Sequence, residues 1–242
     1  MVTRSAQTAD DLVHLLQARG AQVDVVPLIR IGPPPDESSL QRALADAGSF
    51  DWIAFTSVNG VQAFALRCQA TLASEPQIAA VGSATARAIA VWLHRGADVV
   101  ASAFSAEGLA QSLIAKASAG ARVLVVAAQA ARPALSSMLQ SAGLNVTRVA
   151  AYTTIEEPPG DLLVHLAQAD VVTLASASAV RSLVRGLKRG GRSADLRGKL
   201  VACVGPVTFR EAMHYALPVE VVADPSTSEA LVEALCRYYR GA

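Results

Sequence analysis

The chain carries one pattern twice, the second copy displaced by about 120 residues. Asp51-Trp52-Ile53-Ala54-Phe55-Thr56-Ser57-Val58-Asn59-Gly60-Val61 returns as Asp170-Val171-Val172-Thr173-Leu174-Ala175-Ser176-Ala177-Ser178-Ala179-Val180, an apolar strand that runs into a hydroxyl-bearing turn and then a helix. The echo keeps its order. Ala80-Val81-Gly82-Ser83-Ala84-Thr85-Ala86 is matched by Cys203-Val204-Gly205-Pro206-Val207-Thr208-Phe209, and Ser105-Ala106-Glu107-Gly108-Leu109 by Thr227-Ser228-Glu229-Ala230-Leu231. Two similar α/β halves imply two similar domains of roughly 110 to 120 residues, within the usual size range, and two domains imply a cleft between them.

Strands alternate with helices, and the strands are near-continuous Val, Ile, Leu and Ala, which predicts parallel sheets covered on both faces. Residues 10 to 19 have helical apolar spacing with Gly20 as the stop, and Val23 to Ile31 is an extended run. The second copy repeats this with a buried strand at 122–127, a helix at 133–142 stopped by Gly143, and an extended run from Val146 to Ile155. Pro33-Pro34-Pro35 and Pro158-Pro159 end the two runs, where helix and ladder pairing both fail. The fold class expected is therefore α/β, with two similar domains of parallel sheet flanked by helices and joined by a two-stranded linker. Residues 1–29 plus 156–242 would form a discontinuous domain, 36–149 an inserted one, and 30–35 with 150–155 the linker strands.

Composition excludes several function classes. The chain is 52% hydrophobic, yet no apolar run approaches the roughly 20 residues that cross a bilayer, so no membrane partner is expected. Met1 to Ala6 holds no apolar segment of the signal-peptide kind, which points to the cytoplasm. Cys68, Cys203 and Cys236 are too scattered for a disulfide framework or a zinc site and read as packing residues. A formal net charge of +1 without a basic block argues against nucleic acid.

The repeated turns each lie between a strand and a helix, where ligands of parallel sheets bind. Ser and Thr at such places are ordinarily helix caps. Six in paired positions carry more weight, because helix N-termini combine free N–H groups with partial positive charge and can bind carboxylates or phosphates. No G-x-G-x-x-G or Walker A sequence accompanies them, so dinucleotide binding is disfavoured. His14, His94, His165 and His214 stand singly and read as surface or packing residues, with no metal site and no Ser-His-Asp arrangement. Tyr152, on the second extended run, is either a core aromatic with a satisfied hydroxyl or a proton donor projecting between the domains. Arg4, Arg30 and Arg132 could grip a carboxylate, Arg4 foremost because it follows the first strand.

Val2-Thr3-Arg4, Phe55-Thr56-Ser57 with Gly60-Val61, Val81-Gly82 with Thr85-Ala86, Arg132 with Leu135, Tyr152-Thr153-Thr154, Ser176 with Ser178, and Val204-Gly205 with Thr208 resemble the uroporphyrinogen-III synthases over essentially the whole chain. The resemblance implies an enzyme that needs no cofactor or metal. It would close hydroxymethylbilane into uroporphyrinogen III with inversion of ring D and loss of water, through an azafulvene cation and a spiro-pyrrolenine. It implies a catalytic role for Tyr152 and substrate contacts at Arg4, Thr56, Ser57, Asn59, Gly82, Thr85, Ser176, Ser178, Gly205 and Thr208. It leaves room for channelling from hydroxymethylbilane synthase; a monomer is the expected state. Ser5, Ala128, Ala175 and Phe209 depart from the family pattern, and Phe209 is expected to crowd its helix. A non-catalytic two-domain binder of anionic ligands is the alternative from another class, and a nucleotide-sugar or dinucleotide enzyme is a third.

Overall fold

The computed structural model describes residues 1–5, 9–68, 76–190 and 196–241. The first half of the chain builds α1 (Asp10–Gln17), β1 (Ile29–Gly32), α2 (Glu37–Ala45), β2 (Trp52–Phe55), α3 (Val58–Ala65), β3 (Gln77–Ala80), α4 (Ser83–Leu93), β4 (Val99–Val100) and α5 (Ala106–Ile114). The second half follows with β5 (Arg122–Ala128), α6 (Ala134–Ser141), β6 (Asn145–Glu156), α7 (Leu162–Gln168), β7 (Val171–Leu174), α8 (Ala177–Arg189), β8 (Leu200–Cys203), α9 (Pro206–His214), β9 (Val219–Val222) and α10 (Ser228–Gly241). From α1 to α5 and from α6 to α10 the two series correspond element by element, and the strand β5 has only an isolated bridge at Val2 as its counterpart.

The structural units do not coincide with those copies. One unit comprises Met1–Arg30 and Ile155–Ala242, the other Ile31–Thr154. Each therefore joins the head of one copy to the tail of the other. In the unit Ile31–Thr154 the sheet runs β6-β5-β2-β3-β4, with β1 beside β6, and the pairs from β6 to β4 are all parallel. In the other unit β7-β8-β9 are parallel, and Val2 bridges in parallel to both Thr173 and Val25. Counting from β5 in one unit and from Val2 in the other, both give the order second-first-third-fourth-fifth. This is the doubly wound arrangement whose ligand crevice lies between the first and third strands, at their carboxyl ends.

Side-chain alternation explains the layers. Ile53, Phe55, Leu124 and Val126 join one apolar cluster with α2, α3 and α4, whereas Trp52, Ala54, Val123 and Val125 join another with α5 and α6. The other unit repeats the scheme. Val172, Leu174, Val201 and Cys203 face α7, α8 and α9, while Val2, Leu200, Ala202 and Val221 face α1 and α10. Cys203 is a packing residue, its thiol pushed by burial up to about 12. Phe209 is half-buried and packs against the α8 and α9 side of the core. The Met1 amino group donates to the Val171 carbonyl at 2.7 Å, which ties the chain's start into this sheet.

His165 corrects the expectation of an isolated histidine. Its Nδ1 lies 2.6 Å from Asp24 Oδ2 and its Nε2 3.3 Å from Asp161 Oδ2. The hydrogen bond to Asp24 is the largest influence, burial opposes it, and the charge of Asp24 and the contact with Asp161 add to it, so the imidazole is held above its ordinary value. A raised folded value means the contribution is complete below the unfolded histidine's pKa of about 6.5 and disappears as pH rises through the folded value. The groups are largely exposed, so less than about 1 kcal/mol is involved. Melting curves of His165→Gln should accordingly fall slightly below those of the parent at pH 5.5 and coincide with them at pH 9.

Candidate functional site

The repeated turns fall at the carboxyl ends of the strands, and hydrogen bonding sorts them into three pairs. Ser57 and Ser176 cap α3 and α8, their Oγ atoms accepting from Gly60 N and Ala179 N, each at 3.1 Å. Ser105 and Thr227 cap α5 and α10, accepting from Gly108 N at 3.0 Å and Ala230 N at 3.1 Å. These last two helices also carry Glu107 and Glu229 in their first turns, which complements the dipole. Such ends are electrostatically complete.

The third pair differs. Gly82 and Gly205 precede α4 and α9, neither helix start receives a side-chain cap, and neither first turn holds an acidic residue. Glycine is required there by close approach. A Cβ on Gly82 would lie 2.6 Å from the Phe104 ring, and one on Gly205 would overlap Ser226, whose Cβ is 2.8 Å away. Thr85 and Thr208, on these first turns, are 4% and 3% exposed. Among the described residues neither hydroxyl has a protein partner, and no buried side-chain oxygen or nitrogen lacks one. Their hydroxyls therefore reach solvent at the helix starts. With the N–H groups of a first turn they form donor sets suited to an anion.

Of the other expected contacts, several are engaged internally. Thr56 Oγ1 donates to the Val126 carbonyl at 3.3 Å, and Ser176 and Ser178 share a hydrogen bond of 3.0 Å. Arg4 Nη1 donates to Ser228 Oγ at 3.0 Å at the start of α10, and burial pushes its guanidinium below the usual value against the pull of Asp11 and Glu229. Arg30 and Arg132 pair with Glu157 and Glu107 at 3.0 and 3.3 Å. Among the described residues no three His, Cys, Asp or Glu side chains gather as a metal site. No helix of these residues is long and apolar enough to cross a membrane.

Tyr152 is 7% exposed and its ring joins the α2–α4 face of the core. Its hydroxyl ends 2.9 Å from Ser57 Oγ, 95 residues earlier in the chain. A shift in register places it there. Ala127 pairs with Ala150 but Ala128 with Tyr152, so Ala151 is an extra residue on β6. Strict alternation would put Ala151 and Tyr152 on opposite faces; the bulge turns both to the same one. Burial pushes the phenol above its ordinary value, and hydrogen bonds from Ser57 and Asn59 act in the opposite direction. Tyr152 thus keeps its proton at neutral pH.

Fold and site define a class, the two-unit, doubly wound α/β proteins. Residues 10–233 match the family model described as uroporphyrinogen-III synthase HemD. The uroporphyrinogen-III synthase of Synechococcus elongatus is 30% identical over 99% of this chain and 95% of that protein, and the chloroplastic one of Oryza sativa subsp. japonica 28% identical over 97% and 80%. A crystal structure of mutant uroporphyrinogen III synthase from the extremely thermophilic bacterium Thermus thermophilus shares the fold, with a TM-score of 0.62 at 15% identity over 100% of this chain and 98% of that one. The chain belongs to the uroporphyrinogen-III synthase family, the enzymes that cyclise hydroxymethylbilane in tetrapyrrole biosynthesis.

Proposed function

We propose that Tyr152 is the proton donor of this cyclisation and that the uncapped starts of α4 and α9, with Thr85 and Thr208, hold substrate carboxylates. The observation that carries the reading is a phenol kept protonated by burial, with its hydroxyl delivered to a turn at the carboxyl end of β2. As the substrate's C–O bond breaks, the Tyr152 proton passes to the departing hydroxyl, which leaves as water. The cation left on the tetrapyrrole is attacked by the substituted carbon of ring D. This forms a spiro-pyrrolenine, the bond from that carbon to the bridge of ring C breaks, and the cation so formed on the ring C side closes onto the free carbon of ring D, releasing one proton that restores the phenol. The net change is loss of one water.

Most of the rate advantage over spontaneous closure comes from orientation. A substrate with eight carboxylates offers many handles, and fixing its ends favours attack by the substituted position of ring D over the free one. Thr85 and Thr208 each add a hydroxyl donor beside main-chain N–H groups, so replacement leaves most of the anion site in place. Thr85→Val and Thr208→Val should each raise KM roughly tenfold, about 1.5 kcal/mol per lost hydrogen bond to a charged group. Progress curves at varied substrate concentration check this.

The deciding experiment supplies freshly prepared hydroxymethylbilane and separates the product isomers. Predominance of isomer III supports the reading; binding with only isomer I formed would leave an anion binder without catalysis. We read the acting species as a cytoplasmic monomer that takes its substrate from hydroxymethylbilane synthase, directly or by diffusion. Sedimentation at assay concentration, with and without that synthase, tests the association.

A further inference from the structure

We infer that Ser57 is a positioning residue for Tyr152: its hydroxyl, fixed by capping α3, holds the tyrosine hydroxyl in the orientation from which the proton is delivered. The inference rests on the role proposed above for Tyr152.

Ser57 is anchored before it meets the phenol. Its backbone is extended, at φ −167° and ψ 159°, and its Oγ accepts from Gly60 N at 3.1 Å, so the side chain has one settled rotamer. The fit at Gly60 is tight, since a Cβ there would lie 3.3 Å from that Oγ and 3.4 Å from the Val126 carbonyl. A serine hydroxyl has one proton and two acceptor sites. One acceptor site is used by Gly60 N–H, which leaves the proton and the second acceptor site for Tyr152 at 2.9 Å. When the Ser57 proton points to the phenolic oxygen, the phenolic proton is free for the substrate. After that proton has gone, the same Ser57 donor and the Asn59 side chain stabilise the phenolate.

The duplicate turn shows that capping alone does not require this. Ser176, the counterpart of Ser57, caps α8 by the same bond to Ala179 N, yet its hydroxyl pairs with Ser178, the counterpart of Asn59. In the repeat Tyr152 corresponds to Ile29, which has no hydroxyl. One of two equivalent turns has thus acquired a phenol, brought to it by the bulge at Ala151.

The test is a double-mutant cycle on isomer III formation. Ser57→Ala should lower kcat about tenfold with KM within twofold, part of the 100-fold or more that a placed general acid supplies. Ser57→Thr should restore most of it. In the Tyr152→Phe background, Ser57→Ala should change kcat less than twofold, because the group it positions is gone. Titration of the tyrosines by ultraviolet absorbance should show Tyr152 ionising at higher pH in Ser57→Ala than in the parent. Ser57→Gly, which keeps most of the cap's stability, serves if the alanine variant folds poorly. If the two substitutions multiply, or Ser57→Ala leaves kcat within twofold, Ser57 has no positioning role. If Tyr152→Phe itself leaves kcat unchanged, the reading of Tyr152 fails and this inference with it.

Discussion

Tyr152→Phe is expected to lower kcat about 100-fold while the protein stays folded, the low end of what a placed general acid contributes. The low end applies because the cation formed as water leaves is stabilised by the pyrrole nitrogen, so departure proceeds slowly without help. The ring stays in its cluster with Phe55 and Phe64, and the change removes one hydrogen bond to Ser57, worth about 1 kcal/mol. Isomer III should still predominate in the residual product, since the carboxylate contacts proposed at the helix starts are untouched. A kcat within threefold of the parent would assign Tyr152 to the core alone.

Phe55→Ala should cost about 3 to 5 kcal/mol, the range for removing a fully buried phenylalanine. Phe55 is 0% exposed on β2, in the sheet between β5 and β3, and meets Phe64 edge to face at a centroid distance of 5.3 Å. The hole would open directly beneath Thr56 and Ser57, with β5 and β3 held on either side, so collapse around it is restricted. Both tryptophans, Trp52 and Trp92, belong to the unit Ile31–Thr154, so their fluorescence reports that unit's unfolding. With a urea slope of about 2 kcal/mol/M, the tryptophan transition should move down by about 2 M. A shift under about 0.5 M would mean that neighbouring side chains refill the space.

The two uncapped helix starts bear on how such an enzyme binds a polyanion while carrying a formal net charge of only +1. On the proposed reading the donors are main-chain amides and single hydroxyls, so affinity would depend on local geometry more than on the overall field. Gly82 against Phe104 and Gly205 against Ser226 show that geometry being held. The capped and acid-bearing starts of α5 and α10 look alike in sequence but have their polar groups already satisfied.

Much of this was legible beforehand because it depends on short-range pattern. The apolar runs at β2, β5, β7 and β8 announce strands buried on both faces, and the hydroxyl turns after them announce helix caps, since both follow from local backbone requirements. The engaged states of Ser57, Thr56 and Arg4 were not legible, because their partners Tyr152, Val126 and Ser228 lie far along the chain. His165 is the same case, paired with Asp24 across 141 residues.

From the sequence alone came the duplication, the alternation of strand and helix, and the turns where ligand groups gather, because period and composition register in neighbouring residues. Only the folded chain decided which hydroxyls remain available and where Tyr152 points. A single extra residue on β6 reverses the face of a side chain, and a hydrogen bond forms only where distant segments are brought within about 3 Å.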